Sequence, residues 1–176
     1  MKKIVAFAGS NSKHSINKQL VEYTCSLIDK CTTEVLDLND YEMPLYGVDR
    51  EKKEGYPENA NRLLEKIKTA DGLIISLAEH NGAYSTAFKN AFDWMSRLEK
   101  KTFFGKPMLL MAASPGGRGG ASVLGIAEQR FPLHNAKIVE TFSFPFFGDN
   151  FSDGKIINEA LNTNLKKVIA TLESDL

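Results

Sequence analysis

Five side chains bearing a hydroxyl or a carboxamide crowd into eight residues near the start of the chain: Ser10, Asn11, Ser12, Ser15 and Asn17. Such groups donate hydrogen bonds without carrying charge, and their flanks indicate what they donate to. Ahead of them runs Ile4-Val5-Ala6-Phe7-Ala8, short and apolar as a strand buried on both faces should be, and it stops at Gly9. Behind them, from Ile16, the apolar positions take helical spacing, with Leu20, Val21, Thr24, Leu27 and Ile28 on one face. Strand, polar loop and helix start outline a phosphate cradle, because the first N–H groups of a helix lack partners and its dipole favours an anion. An ordinary turn with an N-cap uses the same residue types, but one cap needs one such residue and this loop carries five.

Two further loops have the composition of a binding site. Glu79-His80-Asn81-Gly82-Ala83-Tyr84-Ser85 follows the apolar run Leu73 to Ala78 and offers Glu79, Asn81 and backbone groups to a ring edge or a polyol chain. Ser114-Pro115-Gly116-Gly117-Arg118-Gly119-Gly120 holds four glycines in seven residues, exposing N–H groups and letting a flat ring come close. Read alone, each is a strand-to-helix turn, with Asn81-Gly82 supplying the bend of the first, and His80 alone is a surface imidazole. The G-x-G-x-x-G pattern of dinucleotide folds is absent after strand one, where only Gly9 stands, so the first loop suits a terminal monophosphate better than a pyrophosphate. The G-x-x-x-x-G-K-[ST] loop of nucleotide triphosphatases is absent too.

The elements that must position these loops follow from periodicity. Thr32 to Leu38 alternates as strand two, and a long connection, Asn39 to Pro57, is either functional or mobile. A helix over about Glu58–Thr69 leads to strand three, Leu73 to Ala78, and a helix carrying Phe88, Ala91, Phe92, Met95 and Leu98 follows, with Trp94 in the core. Strand four is Met108 to Ala113, the next helix runs to about Leu133, strand five spans Lys137 to Phe144, and a last helix covers about Asn158–Leu172. Strands alternating with helices predict a parallel sheet covered on both faces, and the common five-strand order 2-1-3-4-5 brings the loops after strands one, three and four to one edge. Those are the three loops with binding composition.

Composition narrows the class. The 176 residues suit one domain and 43% of them are hydrophobic, with 22 basic and 22 acidic side chains in balance, so a nucleic-acid partner is not expected. No run is long or apolar enough to span a membrane, and Met1-Lys2-Lys3 leads into a run too short for a signal-peptide core, which predicts the cytoplasm. His14, His80 and His134 show no metal-ligand spacing, and Cys25 and Cys31 are expected to be buried thiols rather than a disulfide or metal pair.

With the three loops assembled, the chain resembles the NADPH-dependent FMN reductase family, whose members have a flavodoxin-like fold. Gly9, Ser10, Ser15 and Asn17 match its G-S-x-R-x-x-S-x-N motif. Ala78-Glu79-His80-Asn81 is similar to its P-E-Y-N, and Phe88-Lys89-Asn90-Ala91-Phe92-Asp93-Trp94 to its L-K-N-A-x-D-W. The glycine-rich loop is similar to a third motif, and Met43-Pro44-Leu45-Tyr46 to a family segment after strand two. Ser12 stands where the family has Arg, His80 where it has Tyr, and Ala78 where it has Pro.

The resemblance implies an α/β fold, a flavodoxin-like three-layer sandwich with a five-stranded parallel sheet in order 2-1-3-4-5, as a single domain over residues 1–176. It implies that Ser10, Ser12, Ser15, Ile16 and Asn17 hold the phosphate of FMN, that Glu79, His80, Asn81 and Gly82 line the ring and ribityl chain, and that Ser114, Gly116, Gly117 and Gly119 approach the pyrimidine side. It implies an oxidoreductase that passes hydride or electrons from NADPH or NADH, as co-substrate, through FMN to a small-molecule acceptor of flavin, quinone or azo type. The cofactor carries that chemistry, so no catalytic acid, base, nucleophile or metal is assigned. A homodimer is also implied, and Phe142, Phe144, Phe146, Phe147 and Phe151 crowd a region where apolar surface could meet a partner. The alternatives are a flavodoxin-like electron carrier without NAD(P)H reductase activity, a class that tends to be acidic, and a protein using the same crevice for another phosphorylated ligand.

Overall fold

A computed structural model describes residues 1–176. Five parallel strands, β1 (Lys3–Gly9), β2 (Thr32–Leu36), β3 (Gly72–Leu77), β6 (Pro107–Ala113) and β7 (Lys137–Phe144), form one sheet in the order β2-β1-β3-β6-β7. That is the expected 2-1-3-4-5 order, in which the first connection winds one way from β1 and the later ones the other. Two short hairpins, β4 (Glu79–His80) with β5 (Ala83–Tyr84) and β8 (Phe151–Ser152) with β9 (Lys155–Ile156), stand outside it. The helices are α1 (Ile16–Ser26), α2 (Val48–Glu54), α3 (Glu58–Thr69), α4 (Thr86–Leu98), α5 (Ala121–Arg130), α6 (Phe147–Asn150) and α7 (Glu159–Ser174).

Alternation along the strands divides the core in two. From β1, Val5 and Phe7 join Leu63 of α3, Phe88 and Phe92 of α4 and Val123 of α5 on one face. Ile4 and Ala6 join Leu20 and Val21 of α1 and Leu165 and Ile169 of α7 on the other. β3 and β6 are buried along nearly their whole length, which is why they read as unbroken apolar runs.

Four expectations change in detail. Strand two ends at Leu36 rather than Leu38, because the Asp37 carboxylate accepts the Asn39 N–H at 2.9 Å and caps a 3-10 turn over Leu38–Tyr41. The Asn39–Pro57 connection also contains α2, none of whose residues is buried, so apolar periodicity had nothing to register there. Instead α2 is held by Glu51, which accepts from the Tyr46 hydroxyl at 2.9 Å and from Arg97 Nε at 3.0 Å. Cys31 is half-buried, whereas the Cys25 thiol is buried and desolvation pushes it up to about 12. Of the five phenylalanines near β7 only Phe146 is exposed; the other four are buried against one another and α7.

One side chain joins three elements of the sheet's carboxyl edge. Asn17 is 2% exposed, and its Oδ1 accepts from the Ser76 hydroxyl of β3 at 2.7 Å and from the Ala113 N–H of β6 at 2.8 Å. Its Nδ2 donates to the Ala113 carbonyl at 3.3 Å. Removing the amide leaves three polar groups buried without partners, each costing about 1–3 kcal/mol if it finds none. Asn17→Leu is therefore expected to lower unfolding stability by about 2–4 kcal/mol in urea titration, at unchanged m-value.

Candidate functional site

The loops that follow β1, β3 and β6 sit side by side, because those strands are consecutive in the sheet and all run toward the same edge. The first loop presents donors. Ser15 caps α1, its hydroxyl oxygen accepting the Lys18 N–H at 3.2 Å, while the Ser10 and Ser12 oxygens accept the N–H groups of Ser12 and His14. Each hydroxyl proton stays available for an anion. The N–H groups of Ile16 and Asn17, at the first turn of α1, meet no acceptor in the chain. The Asn17 carboxamide is engaged inside the fold, so of the two groups this residue could offer, the backbone N–H is the one that faces outward.

The loop after β3 is a hairpin. Asn81 and Gly82 take positive φ values of 52° and 74°, the backbone of a tight two-residue turn between β4 and β5. His80 is exposed at its outer side. Glu79 does not face a ligand alone: its Oε2 accepts the Val123 N–H of α5 at 3.0 Å. The residue at the N-cap of α5 is Gly120, which has no side chain to do this, so the cap comes from another loop. Ser85 makes a second tie, capping α4 through Phe88 N–H at 3.1 Å and donating to the Gly9 carbonyl at 2.7 Å. Tyr84 points away from this edge onto Phe88 and Phe131; its hydroxyl has no partner, and burial pushes it up to about 12.

The glycine-rich loop is pressed onto the start of the segment after β7. A Cβ on Gly119 would lie 2.2 Å from the Ser143 hydroxyl, and one on Gly117 would lie 2.7 Å from the Phe146 ring. The Gly119 carbonyl accepts from Ser143 and the Gly116 carbonyl from both Ser114 and the Phe146 N–H. The N–H groups of Gly116 and Gly117 remain free and exposed. Ser10, Ser12, Ser15 and Ile16 are thus grouped at one strand end, with the hairpin and the glycine loop on the strands beside it. Beside Asn11 and His80 opens a cleft of about 530 Å³ toward α4. Sequence reasoning placed Ser85 in the second loop but did not foresee that its hydroxyl caps α4 and reaches the Gly9 carbonyl. It also missed the cleft, which is made by segments distant in the chain.

The comparisons with known proteins agree with one another. The family model described as NADPH-dependent FMN reductase matches residues 2–149. A quinone reductase of Escherichia coli strain K12 is 38% identical over 119 residues, covering 67% of this chain and 63% of that protein. An NADPH azoreductase of Bacillus sp. strain OY1-2 is 31% identical over 122 residues, covering 69% of this chain and 64% of that protein. The chain therefore matches slightly less than two thirds of the length of these relatives. Among solved structures, FerB of Paracoccus denitrificans, a flavoenzyme NAD(P)H:(acceptor) oxidoreductase, superposes with a TM-score of 0.77 at 23% identity, covering 98% of this chain and 96% of that one, a likeness of fold.

The Glu79–Val123 bond separates two explanations of why a carboxylate stands at the head of the hairpin. If it serves as the cap of α5, Glu79→Ala lowers stability by about 1–2 kcal/mol and speeds hydrogen exchange at the Val123 amide. Glu79→Gln, which keeps an acceptor oxygen, stays within about 0.5 kcal/mol of the parent in the same urea titration.

Proposed function

The chain belongs to the NADPH-dependent FMN reductase family, and from that membership we propose that residues 1–176 act as one FMN-dependent NAD(P)H oxidoreductase domain serving a small-molecule acceptor. The observation that carries this reading is the donor set at the head of α1. Two free helix N–H groups stand with three hydroxyls that each have a proton to give, and nothing acidic lies among them. That chemistry fits a phosphate monoester, which accepts hydrogen bonds on every terminal oxygen. Unlike the family pattern, the charge is met by dipoles rather than by an Arg fork, since position 12 is Ser.

FMN, when bound, supplies the hydride and electron chemistry between nicotinamide and acceptor. The protein's residues do the rest. Ser10, Ser12, Ser15 and the Ile16 and Asn17 N–H groups would hold the phosphate. The free N–H groups of Gly116 and Gly117 are donors for the carbonyl edge of a flat ring, and the missing side chains let that ring approach the backbone. Ser114 and Gly119 keep this loop in place through their bonds to Gly116 and Ser143. Glu79, Asn81 and Gly82 shape the hairpin, and His80 borders the ring site from the side of the cleft. Two free cysteines suit the cytoplasm, where we place the protein.

We further assign a homodimer, supported by the exposed Phe146 ring and by the exposed Leu45 and Val48 of the connection after β2. Light scattering should return twice the chain mass, and a monomer mass refutes the assignment. For the activity, the first measurement is a visible spectrum of the purified protein with FMN. Uptake of flavin that bleaches anaerobically with NADPH or NADH is expected. Uptake without bleaching makes the protein a carrier, and no uptake removes FMN from the site.

A further inference from the structure

A second cluster of hydrogen-bond donors lies away from the three loops. Along α3, Arg62, Glu65, Lys66 and Thr69 recur at i, i+3, i+4 and i+7 and so share one face of the helix. That face meets Lys3 at the start of β1 and Tyr41 at the end of the 3-10 turn after β2, and together they line a pocket of about 350 Å³. No residue of the three loops lines it. Three cations, Lys3, Arg62 and Lys66, face a single carboxylate in the lining, that of Glu65, which stands 3.7 Å from Lys68.

The cations are held in place and still have protons to give. Lys3 and Lys66 stand 2.6 and 2.5 Å from the two carboxylate oxygens of Glu34 in β2, a residue that is not part of the lining. One oxygen occupies one proton of each ammonium and leaves the others available. The bond to Glu34, and further the charge of Glu34 and the nearby Tyr41 hydroxyl, hold Lys66 above the usual lysine value, so it stays charged at neutral pH. The Arg62 guanidinium lies 5.3 Å from the centre of the Tyr41 ring and gives one N–H to Asn59 Oδ1 at 2.7 Å, keeping the rest. Tyr41 itself is only 7% exposed, and its hydroxyl has no hydrogen-bond partner in the chain. A nearly buried hydroxyl left unpaired beside three cations is unusual unless something completes the site.

We propose that this pocket is a second anion site, in which Lys3, Arg62, Lys66 and the Tyr41 hydroxyl bind a phosphate group. These donors come from β1, from α3 and from the turn after β2, so they approach an anion from several sides. A planar carboxylate has two oxygens to offer them, whereas a phosphate presents its oxygens in a tetrahedral array and matches the fork of an arginine. The ligand would join α3 to the start of β1 and to the turn from which the long connection departs. The proposal stands apart from the oxidoreductase reading, because none of these residues belongs to the site assigned to FMN.

The test is a phosphorus NMR titration of the FMN-saturated protein, whose cradle at α1 is then filled, with inorganic phosphate and with glycerol 3-phosphate as probes. Saturable binding is expected. Lys66→Met and Arg62→Gln should each raise Kd by about fivefold, and Tyr41→Phe, which removes only the hydroxyl, by about twofold to threefold. Lys167→Met, at an exposed lysine of α7, should leave Kd unchanged. Equal affinity for the two probes assigns the site to free phosphate, and tighter binding of glycerol 3-phosphate assigns it to a phosphate monoester. Absence of saturable binding overturns the proposal, as does an equal loss in Lys167→Met, which would reduce the effect to overall charge. Because Tyr41→Phe keeps the ring under Arg62, an unchanged Kd in that variant and in Arg62→Gln overturns it even if Lys66→Met does not fold. Should the protein take up no flavin, Ser15→Ala is titrated beside Lys66→Met. Binding lost in the first and kept in the second places the anion at α1 and overturns the proposal, and the reverse supports it.

Discussion

The arrangement at the sheet's carboxyl edge depends on a single buried carboxamide. Asn17 sits in the first turn of α1, yet its side chain reaches across to β3 and β6, where it meets the Ser76 hydroxyl and both backbone groups of Ala113. An amide can satisfy all of these at once because it carries donor and acceptor on one planar group. The result is that the head of α1, with its free N–H groups, is locked in position relative to the strands that launch the hairpin and the glycine loop. A motif position that suggests a ligand contact is here also the beam that aligns the contacts around it.

The fold was legible because a parallel sheet buried on both faces leaves a plain record: apolar runs with no alternation at Ile4–Ala8, Leu73–Leu77 and Met108–Ala113, separated by helical spacing. What escaped notice has a common physical cause. α2 is held by polar contacts from Glu51, so its sequence VDREKKE has no apolar stripe. The hairpins β4–β5 and β8–β9 have two-residue strands, too short for a period-two pattern to show.

The site was legible to the level of loops and not of side chains. Composition marked Ser10–Asn17, Glu79–Ser85 and Ser114–Gly120, and topology made them neighbours. Sequence could not show that Glu79 turns toward Val123, or that Ser85 reaches Gly9, because those partners lie 44 and 76 residues away in the chain. Likewise Leu38, Met43 and Leu45 are unremarkable in a long connection until Asn90 and Trp94 fold that connection over α4. The glycine-rich loop likewise showed nothing of its ties to the segment after β7, where the Ser143 hydroxyl donates to the Gly119 carbonyl and the Phe146 N–H to the Gly116 carbonyl.

The cap on α5 also bears on the order in which the molecule assembles. A helix that carries its own N-cap can begin forming from local residues, as α1, α4 and α7 can with Ser15, Ser85 and Asn158. α5 begins at Gly120 in a left-handed conformation and borrows Glu79 from a segment on the far side of α4. Its first turn is therefore incomplete until β3 and β6 have paired and the hairpin has docked, so the start of this helix is coupled to tertiary structure in a way that the self-capped helices are not.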